Sequence, residues 1–185
     1  MRRALPPGGA VREDYVFEAG DDARPVRLSE LFGRHDTLVA YCYMYGPNMD
    51  EPCPSCSSML DSLDGDVAPI TQNVSLAVID RSPIRRVRTF ARRRGWRNLR
   101  LLSSANNSFQ PDYFGETPEG QQRPMLNVFS RKGGTIRHTY GTELAYAPPD
   151  PGQDPRHIDL IWPLSGVLDF TPDGRAAFHP RLRYD

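Results

Sequence analysis

Cys53-Pro54-Ser55-Cys56 places two thiols two residues apart. They follow the apolar run Leu38 to Tyr45 and open the segment Ser57-Ser58-Met59-Leu60-Asp61-Ser62-Leu63. The order reads strand, loop, Cys-x-x-Cys, helix. A helix N-terminus presents unpaired backbone N–H groups and a partial positive charge. A thiolate is favoured there over a thiol, and a thiolate attacks disulfides. The expected division of labour is an exposed Cys53 that attacks and a Cys56, one helical turn on, that resolves the mixed disulfide. Pro54 suits the first helical turn, where its missing N–H costs nothing. The helix terminus can lower a thiol pKa by about one unit. Asp50 and Glu51, just upstream, push the other way. The expectation is a modestly activated Cys53.

The same pair has other chemical uses. A structural zinc site needs two further ligands, normally a second Cys or His pair. Cys42 lies mid-strand and points toward a core. His35, His138, His157 and His179 are scattered without ligand spacing. A thiol pair with no catalytic role is the remaining alternative. In a reducing compartment a close Cys pair serves catalysis, redox sensing or metal binding more often than stapling. Three cysteines in all also argue against a disulfide framework.

The elements that must position the pair follow from periodicity. Thr37 to Tyr45 is a strand with Leu38, Ala40, Cys42 and Met44 on one face and Val39, Tyr41, Tyr43 and Tyr45 on the other. Both faces are apolar, as in a central strand covered on both sides. The three tyrosines read as core packing. The helix after Cys53 is expected to run to about Asp64 and stop at Gly65. Val74 to Asp80 reads as a second buried strand. Ser82 caps a helix with Pro83 at its first position, Ile84, Val87, Phe90 and Ala91 as its apolar stripe, and Gly95 as its end. Leu99 to Ser103 is a short strand, and 106–115 is irregular or weakly helical. Met125 to Phe129 and Thr135 to Tyr140 form a hairpin through Arg131-Lys132-Gly133-Gly134. Earlier, Tyr15-Val16-Phe17 is β-prone and Leu28, Leu31 and Phe32 have helical spacing. Later, 147–155 is a Pro-rich loop, 156–162 one or two helical turns, and 168–175 a tail ending in a turn. This order makes an α/β layer fold with a mixed sheet.

The 185 residues suit one domain, with 1–12 a flexible N-terminal arm and 13–185 a single folded unit. Twenty-three basic and 23 acidic residues cancel, so nothing points to nucleic acid or an anionic membrane. The N-terminus carries two arginines but no apolar stretch, so it does not read as a secretory leader. No apolar run approaches the roughly 18 residues of a membrane span. The expected location is cytoplasmic.

Pro124 directly precedes the strand Met125–Phe129, where a proline can stand beside the thiols in the cis form or simply open a strand. His138 can assist proton transfer if it faces the thiols, and otherwise is a hydrogen-bonded structural His. Arg85, Arg86, Arg88 and Arg92 to Arg94 share one helix, as a solvated face or a docking face. Asp112, Tyr113 and Trp96 are candidates for a substrate groove.

These residues together carry a family resemblance. Strand, loop, Cys-x-x-Cys, helix, then βα units, then a proline and a hairpin is similar to the thioredoxin fold. More narrowly, the chain resembles a bacterial thioredoxin-like family catalogued as a domain of unknown function (number eight-nine-nine). The matching stretches include Val26 to Phe32, Tyr43-Met44-Tyr45-Gly46-Pro47, Cys53 to Ser57, Ser82-Pro83 to Gly95-Trp96, Asn127-Val128-Phe129 and Leu168 to Arg175. They span nearly the whole chain from about residue 13. The resemblance implies a thioredoxin-like three-layer α/β fold, a central mixed sheet flanked by helices, and a redox role. The lead-in Tyr15 to Phe32 also resembles peroxiredoxins, whose site needs Pro-x-x-x-Thr/Ser-x-x-Cys. Counting back from Cys56 gives Cys53 and Met49, and from Cys53 gives Asp50 and Gly46, so neither register fits.

The resulting expectation is a thiol–disulfide oxidoreductase: Cys53 the nucleophile, Cys56 the resolving thiol, Pro124 a positioning residue, with no bound cofactor or metal. Its substrate would be a protein or small-molecule disulfide or thiol. A Cys-based peroxidase and a non-enzymatic metal- or partner-binding module are the alternatives.

Overall fold

In the computed structural model, residues 7–144, 151, 161–172 and 179–184 are described. Thr37–Tyr43 forms a central strand, because its residues alternate between two apolar layers and none needs water. In chain order the elements are β1 (Gly9–Ala10), β2 (Val16–Ala19), β3 (Arg24–Arg27), α1 (Leu28–Leu31), β4 (Thr37–Tyr43), α2 (Pro54–Ile70) and β5 (Ser75–Asp80). They continue with α3 (Ile84–Arg94), β6 (Leu101–Ser103), α4 (Phe109–Asp112), β7 (Met125–Lys132), β8 (Thr135–Glu143) and α5 (Pro163–Leu168). One mixed sheet runs in the order β1-β8-β7-β4-β5-β6-β2-β3. Strand β4 pairs parallel with β5, Ala40 opposite Ala77, and antiparallel with β7, Tyr41 opposite Leu126. The parallel step from β4 to β5 requires a crossover, which α2 supplies. The class is α/β, a central sheet with a helical layer on each side, as expected.

Two cores lie on the two faces of the sheet. One gathers Tyr41, Tyr43, Met59, Leu60, Phe90 and Trp96 between the sheet and α2 and α3. The other gathers Phe17, Leu28, Leu38, Phe109 and Phe129 beneath α1 and α4. Cys53 and Cys56 belong to the first and Cys42 to the second. The alternation of β4 thus separates Cys42 from the other two thiols.

Several boundaries differ from the sequence reading. Helix α2 passes through Gly65 and ends at Ile70. A helical glycine costs about 1 kcal/mol relative to alanine; Val67 and Ile70, packed on the core beyond it, offset that cost. Ser82 does not cap α3: its hydroxyl donates to the Tyr45 carbonyl, and Pro83 holds the cap position at φ −53° and ψ 138°. The stripe Ile84, Val87, Phe90 and Ala91 is buried, and Gly95 ends the helix in the left-handed region at φ +82°. The strand β3 lay unread between two recognised segments. Within the stretch read as a flexible arm, Gly9 and Ala10 pair with β8, Gly9 opposite His138. The hairpin turns at Gly133 and Gly134, φ +58° and +78°, the pair of positive values a tight right-twisted hairpin requires. Late in the chain the helix begins at Pro163, after rather than before Trp162, whose backbone is extended. Residues 147–150, 152–160 and 173–175, read as loop, helical turns and tail, lie outside the described residues.

Gly95→Ala forces a Cβ into the left-handed conformation at the end of α3. It is expected to cost about 1 kcal/mol of unfolding free energy, read from urea denaturation.

Candidate functional site

The site begins where β4 ends. Gly46-Pro47-Asn48 turns the chain away from the sheet, and the side chain of Arg86 fastens that turn. Its guanidinium reaches the carbonyls of Gly46, Pro47, Met49 and Asp50, its Nε donates to Tyr45 Oη at 3.0 Å, and it lies 4.2 Å from the Tyr45 ring centre. A rigid planar donor fork suits this cluster of acceptors. The chain then returns so that Cys53 N–H donates to the Met44 carbonyl at 3.0 Å.

Cys53 is the cap residue of α2, with Pro54 in the first turn. Its Sγ accepts the backbone N–H of Cys56 at 3.4 Å. This contact uses a helix-terminal donor that has no partner within the helix, and it stabilises negative charge on the sulfur. Two hydroxyls hold the same turn from below. Ser57 Oγ donates to the Cys53 carbonyl at 2.9 Å, and Tyr43 Oη meets Ser57 Oγ at 2.7 Å. Because the Ser57 proton is spent on Cys53, Tyr43 is the donor of that second bond.

Cys56 is surrounded by opposed influences. Hydrogen bonding to Cys53, burial, and the charge of Cys53 hold its pKa well above the ordinary thiol value. The nearby Tyr41 hydroxyl and Met44 backbone act against that rise. Tyr41 itself is pushed well above the ordinary phenol value, first by burial and then by the neighbouring thiols. The influences that raise Cys56 are Cys53 and burial, not the nearby Asp50 and Glu51. No disulfide joins the three cysteines.

One expectation about the pair is overturned. Cys53 is not exposed: it is 6% accessible and Cys56 4%. Both join the core that also holds Leu144 and Trp162, and α5 rests on α2. The late segment of the chain completes this core, which is why the helix N-terminus alone did not reveal the burial. A cavity of about 520 Å³ opens beside the turn, lined by Met44, Met49, Arg81, Glu116 and Gln122 among others. Arg81 and Glu116 form an ion pair there at 2.9 Å, and Gln122 Nε2 donates to Glu116 at 3.1 Å.

The other candidates separate. Pro124 is buried immediately before β7, and the antiparallel register that sets Tyr41 opposite Leu126 runs on toward it. No cis peptide bond occurs among the described residues. His138 faces the opposite layer from the thiols. Its Nε2 is 2.8 Å from Asn127 Oδ1, its ring packs on Tyr113 and Phe129, and burial lowers its pKa. Asn127 also donates to Cys42 Sγ at 3.6 Å, and burial pushes the Cys42 thiol up to about 12. His138 is thus structural, and Cys42 is an inert core thiol. Trp96 lies in the thiol-side core, its Nε1–H on Asp61 at 2.7 Å, whereas Tyr113 lies in the other core. They cannot line one groove.

The arginine helix is neither a bare solvated face nor a free docking face. Arg88 and Arg92 hold Asp21, Arg94 holds Asp61, and Arg86 holds the site turn. Among the described residues no cluster of three or more His, Cys, Asp or Glu side chains could hold a metal ion. Sequence reasoning missed Tyr41, Tyr43, Ser57 and Arg86 as site residues. The signal for the tyrosines was present: the face carrying 41, 43 and 45 had to meet whichever helix crossed over β4.

A central mixed sheet, a crossover helix opened by Cys-x-x-Cys, and a terminal hairpin define a thioredoxin-fold protein. Solved structures agree on that fold. A mutant of PrxQ from Xylella fastidiosa is 14% identical, with a TM-score of 0.53 over 78% of this chain and 89% of its own. A peroxiredoxin Q from Xanthomonas campestris is 12% identical, with 0.52 over 74% and 88%. A putative protein disulfide isomerase from Bacteroides thetaiotaomicron is 18% identical, with 0.52 over 78% and 82%. No curated protein matches the chain in sequence. The chain belongs to the family described as "Bacterial protein of unknown function (DUF899)", whose model matches residues 1–183.

Removing Cys53 removes the largest influence that raises Cys56. In Cys53→Ala, Cys56 is expected to ionise at lower pH than in the wild type, measured as the pH profile of its alkylation. An unchanged or higher midpoint would show that burial alone sets its acidity.

Proposed function

We propose that this protein is a thiol–disulfide oxidoreductase in which Cys53 attacks and Cys56 resolves. The observation that carries the reading is the placement of the pair. Cys53 Sγ, at the cap position of α2, accepts the N–H of Cys56, so it is the sulfur at which the helix terminus favours negative charge. The thioredoxin fold of its neighbours is compatible with this role.

The reaction balances without a bound cofactor. The Cys53 thiolate attacks a disulfide R–S–S–R, forming Cys53–S–S–R and releasing one thiolate, which takes a proton from water. Cys56 then attacks Cys53 Sγ, the second thiol leaves with the proton from Cys56, and the pair is oxidised by two electrons as the substrate is reduced. The reverse sequence oxidises a dithiol. Pro124, at the mouth of β7 beside the end of β4, is assigned the positioning role. The cavity between the site turn and the 116–122 segment is where the unreacting part of a substrate would lie. With both sulfurs little exposed, a small disulfide is the first substrate class to test, and protein disulfides come second. The reading places the protein in the cytoplasm; among the described residues no helix is long and apolar enough to cross a membrane.

Cys56→Ser is expected to trap a mixed disulfide through Cys53 on exposure to a small aromatic disulfide, seen as a stoichiometric increase in intact mass. Absence of any adduct contradicts the exchange reading. Peroxide consumption that survives Cys53→Ser but not Cys56→Ser would instead assign a peroxidase with Cys56 as its reacting thiol.

A further inference from the structure

The cavity beside the site turn is lined by polar groups that the fold itself does not use. Arg81 is fixed there by four acceptors. Its Nε donates to Glu116 Oε2 at 2.9 Å, and its Nη1 reaches the carbonyls of Ser104, Ala105 and Asn107 at 2.8, 3.2 and 3.0 Å. Its Nη2 meets no acceptor among the described residues, so two N–H donors stay open on a guanidinium that is held in place. Gln122 supplies the opposite. Its Nε2 donates to the same Glu116 oxygen at 3.1 Å, which orients the amide, because a carboxylate only accepts. The other amide atom, Oε1, is buried and has no hydrogen-bond partner. A buried acceptor left unpaired costs free energy until a donor arrives.

The surrounding backbone is shaped to keep these groups together. Glu116 and Gln122 face each other as an antiparallel bridge pair. Gly46 leaves room for Gln122 against the site turn, since a Cβ there would stand 3.0 Å from Gln122 Cγ. Met44, Pro47 and Met49 form an apolar wall, and the Met44 carbonyl takes the Cys53 N–H at 3.0 Å. The cavity thus starts at a residue bonded directly to the attacking cysteine.

We propose that this cavity is a subsite for the amide backbone of a small cysteinyl disulfide, with Arg81 and Gln122 as its specificity-determining residues. Arg81 Nη2 donates to a substrate carbonyl, and Gln122 Oε1 accepts a substrate N–H. The inference rests on the exchange reading for what the occupant does, and on the cavity alone for its being bound. An extended residue presents its own N–H and C=O on one edge, as residues paired across an antiparallel ladder do. Arg81 and Gln122 are joined through one Glu116 oxygen, so their open donor and acceptor belong to one cluster. A carboxylate is the poorer occupant, because the charged lining residues, Arg81 and Glu116, already balance. A cavity of this kind, apolar with a few fixed polar groups, is the usual form of a small-molecule site. With Cys53 6% accessible, a small disulfide reaches the sulfur more readily than one set in a folded protein.

Two neutral disulfides test it: that of N-acetylcysteine N-methylamide, which carries amides, and hydroxyethyl disulfide, which carries none. Each rate with the reduced protein is divided by the rate with dithiothreitol, which removes intrinsic reactivity. The wild type is expected to favour the amide disulfide by about tenfold, the size of one or two net hydrogen bonds. Arg81→Lys, which keeps the charge but not the fork, and Gln122→Met, which keeps the bulk, should each bring that ratio toward one. Glu116→Gln keeps the shape and removes the charge that balances Arg81. It should raise the rate with anionic dithiodipropionate, relative to the amide disulfide, by about tenfold, a change of preference that loss of packing would not produce. Equal normalised rates for the two neutral disulfides in the wild type, or an order of preference that Glu116→Gln leaves as it was, overturns the proposal. If Cys56→Ser traps no mixed disulfide, the exchange reading has failed, and binding alone then decides the subsite. N-acetyl-S-methylcysteine N-methylamide, which cannot exchange, should shift the Arg81 Nε–H resonance of the full chain; an unmoved resonance overturns the subsite as well.

Discussion

The strict alternation of β4 is the constraint on which the site depends. The strand is buried on both faces, so each residue is committed to one layer. A slip of one position would bring Cys42 under the first turn of α2 and send Tyr41 and Tyr43 to the other core. In the observed register the tyrosines stand beneath the helix start, and the Tyr43 hydroxyl meets it at Ser57. The hydrophobic commitment of the strand thereby sets the electrostatics of the thiols. Cys42, with the same side chain, is left with Asn127 and burial, and becomes chemically inert.

A second constraint is the turn between β4 and α2. Its carbonyls would be poorly satisfied as the chain leaves the sheet, and buried carbonyls seek donors. Arg86 answers four of them from the adjacent helix and stacks on Tyr45. The cap position of Cys53 is therefore held from both sides, by Met44 in the turn and by Ser57 in the helix. A sulfur held this way has a fixed geometry, and fixed geometry is what allows helix-terminal donors to act on it.

Much of this was legible in the sequence. The alternation of β4, the position of the Cys pair at a helix start, the stripe of α3 and its glycine stop, and the hairpin at Gly133-Gly134 all followed from periodicity and turn chemistry. What was not legible depended on contacts between segments distant in the chain. Burial of the thiols depends on a core completed by Leu144 and Trp162. The placement of His138 on the far layer depends on strand pairing, and the role of Arg86 on the packing of α3 beside the site turn. Helix α2 overran Gly65 because tertiary packing outweighs the local preference of one residue. Tyr41 and Tyr43 were correctly assigned to the core, but core and site are here the same place.

The central claim is that Cys53 and Cys56 form a redox couple. Equilibration of the protein across a graded series of reduced and oxidised glutathione tests it most directly, with intact mass and peptide mapping as the readout. The account predicts one two-electron transition, with a Cys53–Cys56 disulfide and Cys42 reduced throughout. A protein in which no disulfide forms between Cys53 and Cys56 at any ratio would contradict it.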